Sequence, residues 1–208
     1  MRLYLASTSP ARLATLRAVG IEPVLLASNV DEDAAVETFA PPTAPEMVQL
    51  LARLKAEAVV GREVDGGPID GFILGGDSAF ELDGVTYGKP HLPEVARERW
   101  LLQRGREGQL HSGHWLIDHR GGTANGAVGG VSTASVRFAD DIRDDEIDAY
   151  IATGEPLEVA GAFTIDSLGA PFISGITGDP HAVVGLSVAL LRTLLGRFDV
   201  PFHTLRTL

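Results

Sequence analysis

The apolar run Phe72-Ile73-Leu74 leads straight into Gly75-Gly76-Asp77-Ser78, and this segment constrains the chain more than any other. A short apolar run bounded by turn residues reads as a buried strand. Paired glycines let backbone approach closely where that strand is expected to end. A carboxylate buried there without a partner is costly. Asp77 is therefore placed to hold a metal or activate a water; the alternative is a plain turn former.

Around this run, strand and helix signals interleave. Arg2 to Leu5 reads as a strand, followed by the polar loop Ala6-Ser7-Thr8-Ser9. Ser9 suits an N-cap with Pro10 in the first helical turn, and Gly20 suits the stop. Leu13, Leu16 and Val19 give that helix its apolar stripe. A second strand is expected over Pro23 to Ala27 and an exposed loop over 28–44. A helix opened by Pro45 should turn Met47, Leu50, Leu51, Leu54 and Ala58 inward. Residues 61–71 read as a loop. Ile73 to Leu82 reads as a strand broken by the Gly-Gly-Asp corner, with Asp83-Gly84 as a two-residue hairpin turn returning through Val85 to Tyr87. Further along, the pattern gives a helix over Pro93 to Arg104 and strands over Gln109 to Asp118 and Val131 to Phe138. A Gly-rich loop at 119–130 joins those strands as an antiparallel pair. Helices follow over Asp144 to Thr153 and Val183 to Phe198. These elements define an α/β fold with a mixed, partly antiparallel sheet flanked by helices. With 208 residues, 45% of them hydrophobic, the chain suits one domain or two lobes sharing a sheet.

Charge and composition exclude several function classes. The formal net charge of −11 and the lack of a Lys/Arg cluster oppose binding to a long polyanion, so nucleic acid is not an expected partner. With no cysteine, thiolate metal sites and cysteine nucleophiles are excluded. No Gly-x-Ser-x-Gly elbow marks a serine hydrolase, and the six histidines show no metal spacing. No signal segment precedes the first strand and no apolar run is long enough to span a bilayer, so a cytoplasmic location without membrane contact is the expectation.

Four clusters could carry chemistry. Ser7, Ser9 and Arg12 surround an expected helix N-terminus, where free N–H groups and the dipole favour an anion; the alternative is an ordinary cap beside a surface arginine. Asp31-Glu32-Asp33 could bind a divalent cation through oxygen ligands or form a solvated acidic face. Lys55 flanks the apolar stripe of its helix and could snorkel or point its ammonium at a phosphate. Lys89, in Tyr87-Gly88-Lys89-Pro90, could reach into a cleft from a bent backbone or remain a turn lysine.

Taken in order, these pieces resemble the Maf family of nucleoside triphosphate pyrophosphatases, which share a fold with the inosine triphosphate pyrophosphatases. The matching segments run nearly end to end. They are Leu5 to Arg12, Val30 to Glu32, Leu51 to Ala56, Leu74 to Ser78, Asp83-Gly84 with Tyr87 to Pro90, Gly154 to Pro156, Ala160 to Phe163, Ile176 to Asp179 and Val183 to Leu186. The resemblance implies a single Maf-like domain over 1–208, two lobes around a central cleft. It implies metal-dependent hydrolysis of a nucleoside triphosphate, standard or modified, to the monophosphate and pyrophosphate, with Mg²⁺ or Mn²⁺. By position, Ser7, Ser9 and Arg12 would bind phosphate, with Ser78 beside them in the substrate site. Glu32 and Asp77 would serve the metal and the attacking water, and Lys55 and Lys89 would hold the triphosphate. A homodimer is also implied. The rival reading is a nucleotide-binding regulator of septum formation with little turnover. Four departures from the family pattern stand out. Ala11 replaces the first of two arginines, and Gly75-Gly76-Asp77-Ser78 replaces Gly-Ala-Asp-Thr. Val159 replaces a lysine, and Asp166 stands where members acting on dTTP and UTP carry glutamine. A carboxylate at 166 facing the base would accept from an N–H donor, as a purine or a methylated guanine offers.

Overall fold

A computed structural model describes residues 1–40 and 43–207 of the chain. In chain order the elements are β1 (Leu3–Leu5), α1 (Pro10–Ala18), β2 (Val24–Leu25), α2 (Glu32–Phe39), α3 (Ala44–Glu57), β3 (Glu63–Val64), β4 (Gly67–Pro68) and β5 (Gly71–Leu82). They continue as β6 (Val85–Tyr87), α4 (Pro93–Gln103), β7 (Glu107–His119), β8 (Gly126–Phe138), α5 (Asp144–Ala152), β9 (Ile173–Gly178), α6 (Pro180–Val184) and α7 (Val188–Gly196). The expected α/β class with a mixed sheet is observed: β1 pairs in parallel with β2 and β5, while β6 and β9 pair antiparallel with β5 and β8. The chain divides into two compact units. One comprises Met1–Asp77, Ser112–Ser132 and Gly185–Leu208; the other comprises Ser78–His111 and Thr133–Val184.

In the first unit, the alternation of side chains along β1 and β5 sorts them onto two faces. Leu3, Leu5, Phe72 and Leu74 pack with Leu16 of α1 and Leu191 and Leu194 of α7. Tyr4, Ala6 and Ile73 pack on the opposite side with Ala56 of α3, Val59 and Ile117. Helix α1 starts as its sequence dictates: the Ser9 side chain caps it and Pro10 occupies the first turn. Its end is a full Schellman motif. Gly20 N–H donates to Arg17 O, Ile21 N–H donates to Leu16 O, and Gly20 takes φ +82°. The apolar contact that goes with this motif is present too, because Ile21 and Leu16 share one buried cluster.

Several expectations are corrected. Strand β5 does not break at Gly75-Gly76-Asp77 but runs through it, so Asp77 lies inside a 12-residue strand. Neither glycine has positive φ; they are there for close packing. A Cβ on Gly75 would strike the Ala52 carbonyl oxygen and come within 2.9 Å of Ala56 N. A Cβ on Gly113 of β7 would likewise strike the Val48 carbonyl. Helix α3 thus lies with its backbone directly on two glycines. For that reason its buried face is Ala44, Val48, Leu51, Ala52, Lys55 and Ala56. Of the inward residues expected for it, only Leu51 is fully buried, and Ala58 is exposed. The expected loop at 28–44 contains helix α2, capped by Asp31; Pro41 and Pro42 of that range lie outside the described residues. The expected loop at 61–71 holds the short β3–β4 hairpin, turned at Asp65 and Gly66 with φ of +56° and +80°. Strand β8 begins at Gly126, not Val131, and the expected last helix is two, α6 and α7, with Ser187 capping the second.

The second unit has its own core. Phe80, Leu110, Val136 and Phe138 of the sheet meet Trp100 of α4 and Ile147 and Tyr150 of α5. Trp100 packs edge-on against Phe138, Tyr150 and Phe172 at ring separations of 5.6, 5.5 and 5.4 Å, and its indole N–H donates to Ala162 O at 2.8 Å. The Asp83-Gly84 hairpin turn forms as expected, pairing Leu82 with Val85.

Candidate active site

Ser7, Ser9, Arg12, Glu32, Lys55 and Asp77 belong to the first unit, and the fold explains how they form two groups on either side of β5. Side chains at 75 and 77 of β5 share a face, the one on which α3 rests. The absent Cβ at Gly75 lets α3 settle close, and Lys55 projects from the same helical face as Ala52 and Ala56. Its ammonium reaches the Asp77 carboxylate, with Nζ 2.6 Å from Oδ1. The same Nζ lies 2.7 Å from Oε1 of Glu32, the first residue of α2. Both side chains of the Lys55–Asp77 pair are about nine-tenths buried, whereas that of Glu32 is half exposed. Lys55 therefore does not snorkel: it is a buried cation shared by two carboxylates. Of the three acids at 31–33, only Glu32 joins it. Asp31 instead accepts from Ala34 N–H as a helix cap, and Asp33 is exposed.

The opposite face of β5 holds the arginine. A Cβ on Gly76 would come within 3.2 Å of Arg12 Nε, so this glycine leaves room for the guanidinium. Arg12 is buried, not a surface residue, and donates through Nε to Gly185 O at 2.8 Å and through Nη1 to Ser7 Oγ at 3.2 Å. Ser7 Oγ also accepts from Ser9 N–H at 3.1 Å. Ser9 in turn caps α1 by accepting from Arg12 N–H at 3.4 Å. The loop Ser7 to Ser9, the cap and the arginine thus form one hydrogen-bonded structure at the N-terminus of α1.

The electrostatics follow from burial. Desolvation pushes the Asp77 carboxyl above its ordinary range; Lys55 and Arg12 pull it back, and the Glu32 charge adds to the upward push. Desolvation also lowers the Arg12 guanidinium, opposed by the charges of Asp77 and Glu32. A carboxylate with raised proton affinity beside fixed cations can orient a water and take its proton, while the cations and the helix N-terminus hold an anionic group.

The donor set also fits a divalent cation. Glu32 and Asp77 each place a carboxylate oxygen on one point, now held by the Lys55 ammonium. Hard oxygen donors of this kind suit Mg²⁺, which takes one or two carboxylates and completes its shell with water and substrate phosphates. Among the described residues no three His, Cys, Asp or Glu side chains group into a metal cage, so the protein's share would be these two.

Ser78, Lys89 and Asp166 belong to the second unit. Ser78 is half-buried, and Lys89 and Asp166 are exposed. The turn before Lys89 is tied down, because Gly88 O accepts from Gly161 N–H and from Arg99 Nη1, and Arg99 lies over the Tyr87 ring. Sequence reading missed two anchors in the first unit. Gly185 O, which anchors Arg12, is a backbone atom and leaves no signal in composition. His114 was visible only as a histidine without metal spacing; it is buried and accepts from Ser187 N–H at the start of α7.

An α/β scaffold that sets a side-chain-capped helix N-terminus, a buried arginine and lysine and two carboxylates in one unit has the equipment of an enzyme acting on phosphate esters or anhydrides. The chain belongs to the Maf family: the model described as "Maf-like protein" matches residues 2–198. It is similar to proteins named nucleoside triphosphate pyrophosphatase. That of Leifsonia xyli is 66% identical, with 99% of this chain and 96% of the relative covered. That of Nocardia farcinica is 48% identical over 95% and 93%, and that of Salinispora tropica 50% identical over 97% and 85%. Among solved structures, the Staphylococcus aureus Ham1 protein matches with a TM-score of 0.47 and 14% identity, covering 95% of this chain and all of that one.

Proposed function

We propose that this chain, a nucleotide pyrophosphatase and so a hydrolase acting on acid anhydrides, cleaves a nucleoside triphosphate at the α-phosphorus to give the monophosphate and pyrophosphate. The observation that carries this reading is the buried Lys55 ammonium held between the carboxylates of Asp77 and Glu32. A fold needs no such trio for stability, since replacing buried ion pairs by apolar packing is commonly neutral or better. A reaction that builds charge on phosphate oxygens does need it.

Asp77 orients the attacking water and accepts its proton, and burial makes it the stronger base. Arg12, the capped N-terminus of α1 and the hydroxyls of Ser7 and Ser9 bind the phosphates. Lys55 and Lys89 hold the triphosphate chain as charge moves onto the departing pyrophosphate, and Ser78 adds a hydroxyl. Glu32 and Asp77 would hold a divalent cation, Mg²⁺ or Mn²⁺. When bound, such an ion neutralises phosphate oxygens and lowers the pKa of a water. No covalent intermediate is required. The net charge of −11 is no obstacle, because binding depends on a local cluster of cations. Asp166 accepts from N–H donors of the base, and the adjacent N1–H and N2–H₂ of a guanine, methylated or not, suit its two oxygens best. The family resemblance alone supports a homodimer; among the described residues no helix is long and apolar enough to cross a membrane.

The test is a panel of UTP, dTTP, CTP and 7-methyl-GTP, each with Mg²⁺ or Mn²⁺, with products identified. Pyrophosphate should appear only with added metal, and fastest from 7-methyl-GTP, whose guanine presents N1–H and N2–H₂ side by side to one carboxylate. Release of orthophosphate would overturn the reading, and a strict preference for dTTP would remove the role given to Asp166.

A further inference from the structure

One carboxylate in the second unit has far more partners than a surface acid needs. Glu155, in the short helical turn Glu155–Glu158 that follows α5, accepts five hydrogen bonds. Its Oε1 takes Tyr150 Oη–H at 2.9 Å, Thr164 Oγ1–H at 2.6 Å and Gly169 N–H at 3.3 Å. Its Oε2 takes Ser167 Oγ–H at 2.6 Å and Leu168 N–H at 3.4 Å. Four of the five donors lie in the segment 164–169. A carboxylate offers about four lone-pair directions, so this one is saturated. Burial alone would raise its pKa, but the hydroxyls of Ser167, Thr164 and Tyr150 together hold it below the ordinary carboxylate range.

The arrangement has a consequence for Asp166. The residue two before it and the residue after it, Thr164 and Ser167, both donate their hydroxyls inward to Glu155. Gly169 closes the segment: its N–H also donates to Thr164 Oγ1 at 3.1 Å, and a Cβ there would come within 2.7 Å of Tyr150 Oη. Tyr150 is anchored in turn, with its ring against Trp100 and Phe172. The loop is wrapped on a fixed acid, and Asp166 and Leu168 are left exposed on its outer side. A loop rich in small polar residues would otherwise sample many conformations.

We infer that Glu155 is a positioning residue for nucleobase selection, its carboxylate fixing the 164–169 loop and thereby the place at which Asp166 meets the base. This rests on the reading of Asp166 as the base-facing acid. The ligand class it serves is a nucleotide whose base presents two adjacent N–H donors on one edge, as guanine does. Glu155 itself touches no reacting atom. Glu155→Gln keeps the size of the side chain but turns one acceptor oxygen into a donor, which faces hydroxyl or N–H donors and breaks the wrap.

The experiment compares the parent with Glu155→Gln and Ser167→Ala, the latter removing a single bond and leaving the fold least disturbed. Two quantities are read. One is the ratio of kcat/KM between the best and the worst nucleotide of the panel. The other is the ratio of calorimetric affinities for α,β-methylene analogues of the same pair, which needs no turnover. Inhibition by tripolyphosphate, which has no base, is the control. In Glu155→Gln both ratios should fall by about tenfold or more, through a weaker KM for the preferred nucleotide. Its kcat and the tripolyphosphate inhibition constant should stay within about twofold. Ser167→Ala should move the ratios in the same direction by about threefold. Unchanged ratios in both variants overturn the inference, as does a uniform loss on every nucleotide that also weakens tripolyphosphate inhibition. If the parent hydrolyses none of the panel, the pyrophosphatase reading fails, and the affinity ratios still decide the role of Glu155.

Discussion

Replacing Asp77 by asparagine should lower kcat by about 10²–10⁴-fold while leaving the thermal midpoint unchanged or higher. The two halves of this result come from one cause. The Asp77 carboxyl is buried in β5, and desolvation raises its pKa above the ordinary value. The folded chain therefore binds this proton more tightly than the unfolded chain, and stability is lost as pH rises from the ordinary carboxylate range through the raised value. An ionised Asp77 is a cost to the fold at neutral pH, and a neutral side chain of the same shape removes it. Lys55 is not stranded by the change, because Glu32 Oε1 remains 2.7 Å from its ammonium. What asparagine cannot do is accept a proton from water. Steady-state kinetics and a thermal melt on the same preparation check both halves. A variant that keeps its rate within about tenfold of the parent's contradicts the role given to Asp77.

The second large effect is expected at a residue with no side chain. Gly75→Ala should destabilise the chain by about 1–3 kcal/mol and lower kcat/KM by about 10²-fold. The added Cβ would meet the Ala52 carbonyl and come within 2.9 Å of Ala56 N. Both are backbone atoms of α3 and cannot swing aside as a flexible side chain would, so the helix must lift from the strand. Lys55 stands on that helix, one residue before Ala56, and leaves Asp77 with it. For a chain of this size each kcal/mol moves the midpoint by about 2–4 °C, so differential scanning calorimetry resolves the shift. Gly67→Ala is the control: an added Cβ there meets nothing within 4 Å, and its backbone is not in the left-handed region. It should melt and turn over like the parent. A Gly75→Ala chain that does the same would show that the close seat of α3 on β5 is not what brings Lys55 to Asp77.

How much of this was legible in the sequence depends on which force fixed each feature. Local chemistry was readable. Ser9 and Pro10 start α1, Gly20 ends it, and Asp83-Gly84 turns a hairpin, because each is determined by its own backbone dihedrals and nearby donors. Features set by packing were not. Gly75-Gly76 read as a corner because glycine usually signals a turn, whereas here it signals a helix and an arginine pressed against opposite faces of a continuous strand. The same packing explains the misplaced face of α3: small residues, Ala52 and Ala56, make the closest contact, so the bulky Met47, Leu50 and Leu54 lie to the side. Helix α2 was hidden because acids and threonine score as loop formers, although Asp31 is a cap. The residues that group around Lys55 and around Arg12 are legible as candidates, but their local reading is two-sided. Lys55 could have snorkelled and Arg12 could have been a surface residue. Only the three-dimensional contact shows both buried against partners far away in the chain. Glu155 appeared only within a Gly-Glu-Pro motif, and its five donors come from residues with no distinctive composition.

The most direct test of the central claim is hydrolysis of the preferred nucleotide in H₂¹⁸O, with the products separated and weighed by mass spectrometry. Attack at the α-phosphorus by a water that Asp77 activates predicts one ¹⁸O in the nucleoside monophosphate and none in the pyrophosphate. Label in the pyrophosphate, or release of a nucleoside diphosphate with labelled orthophosphate, would contradict it.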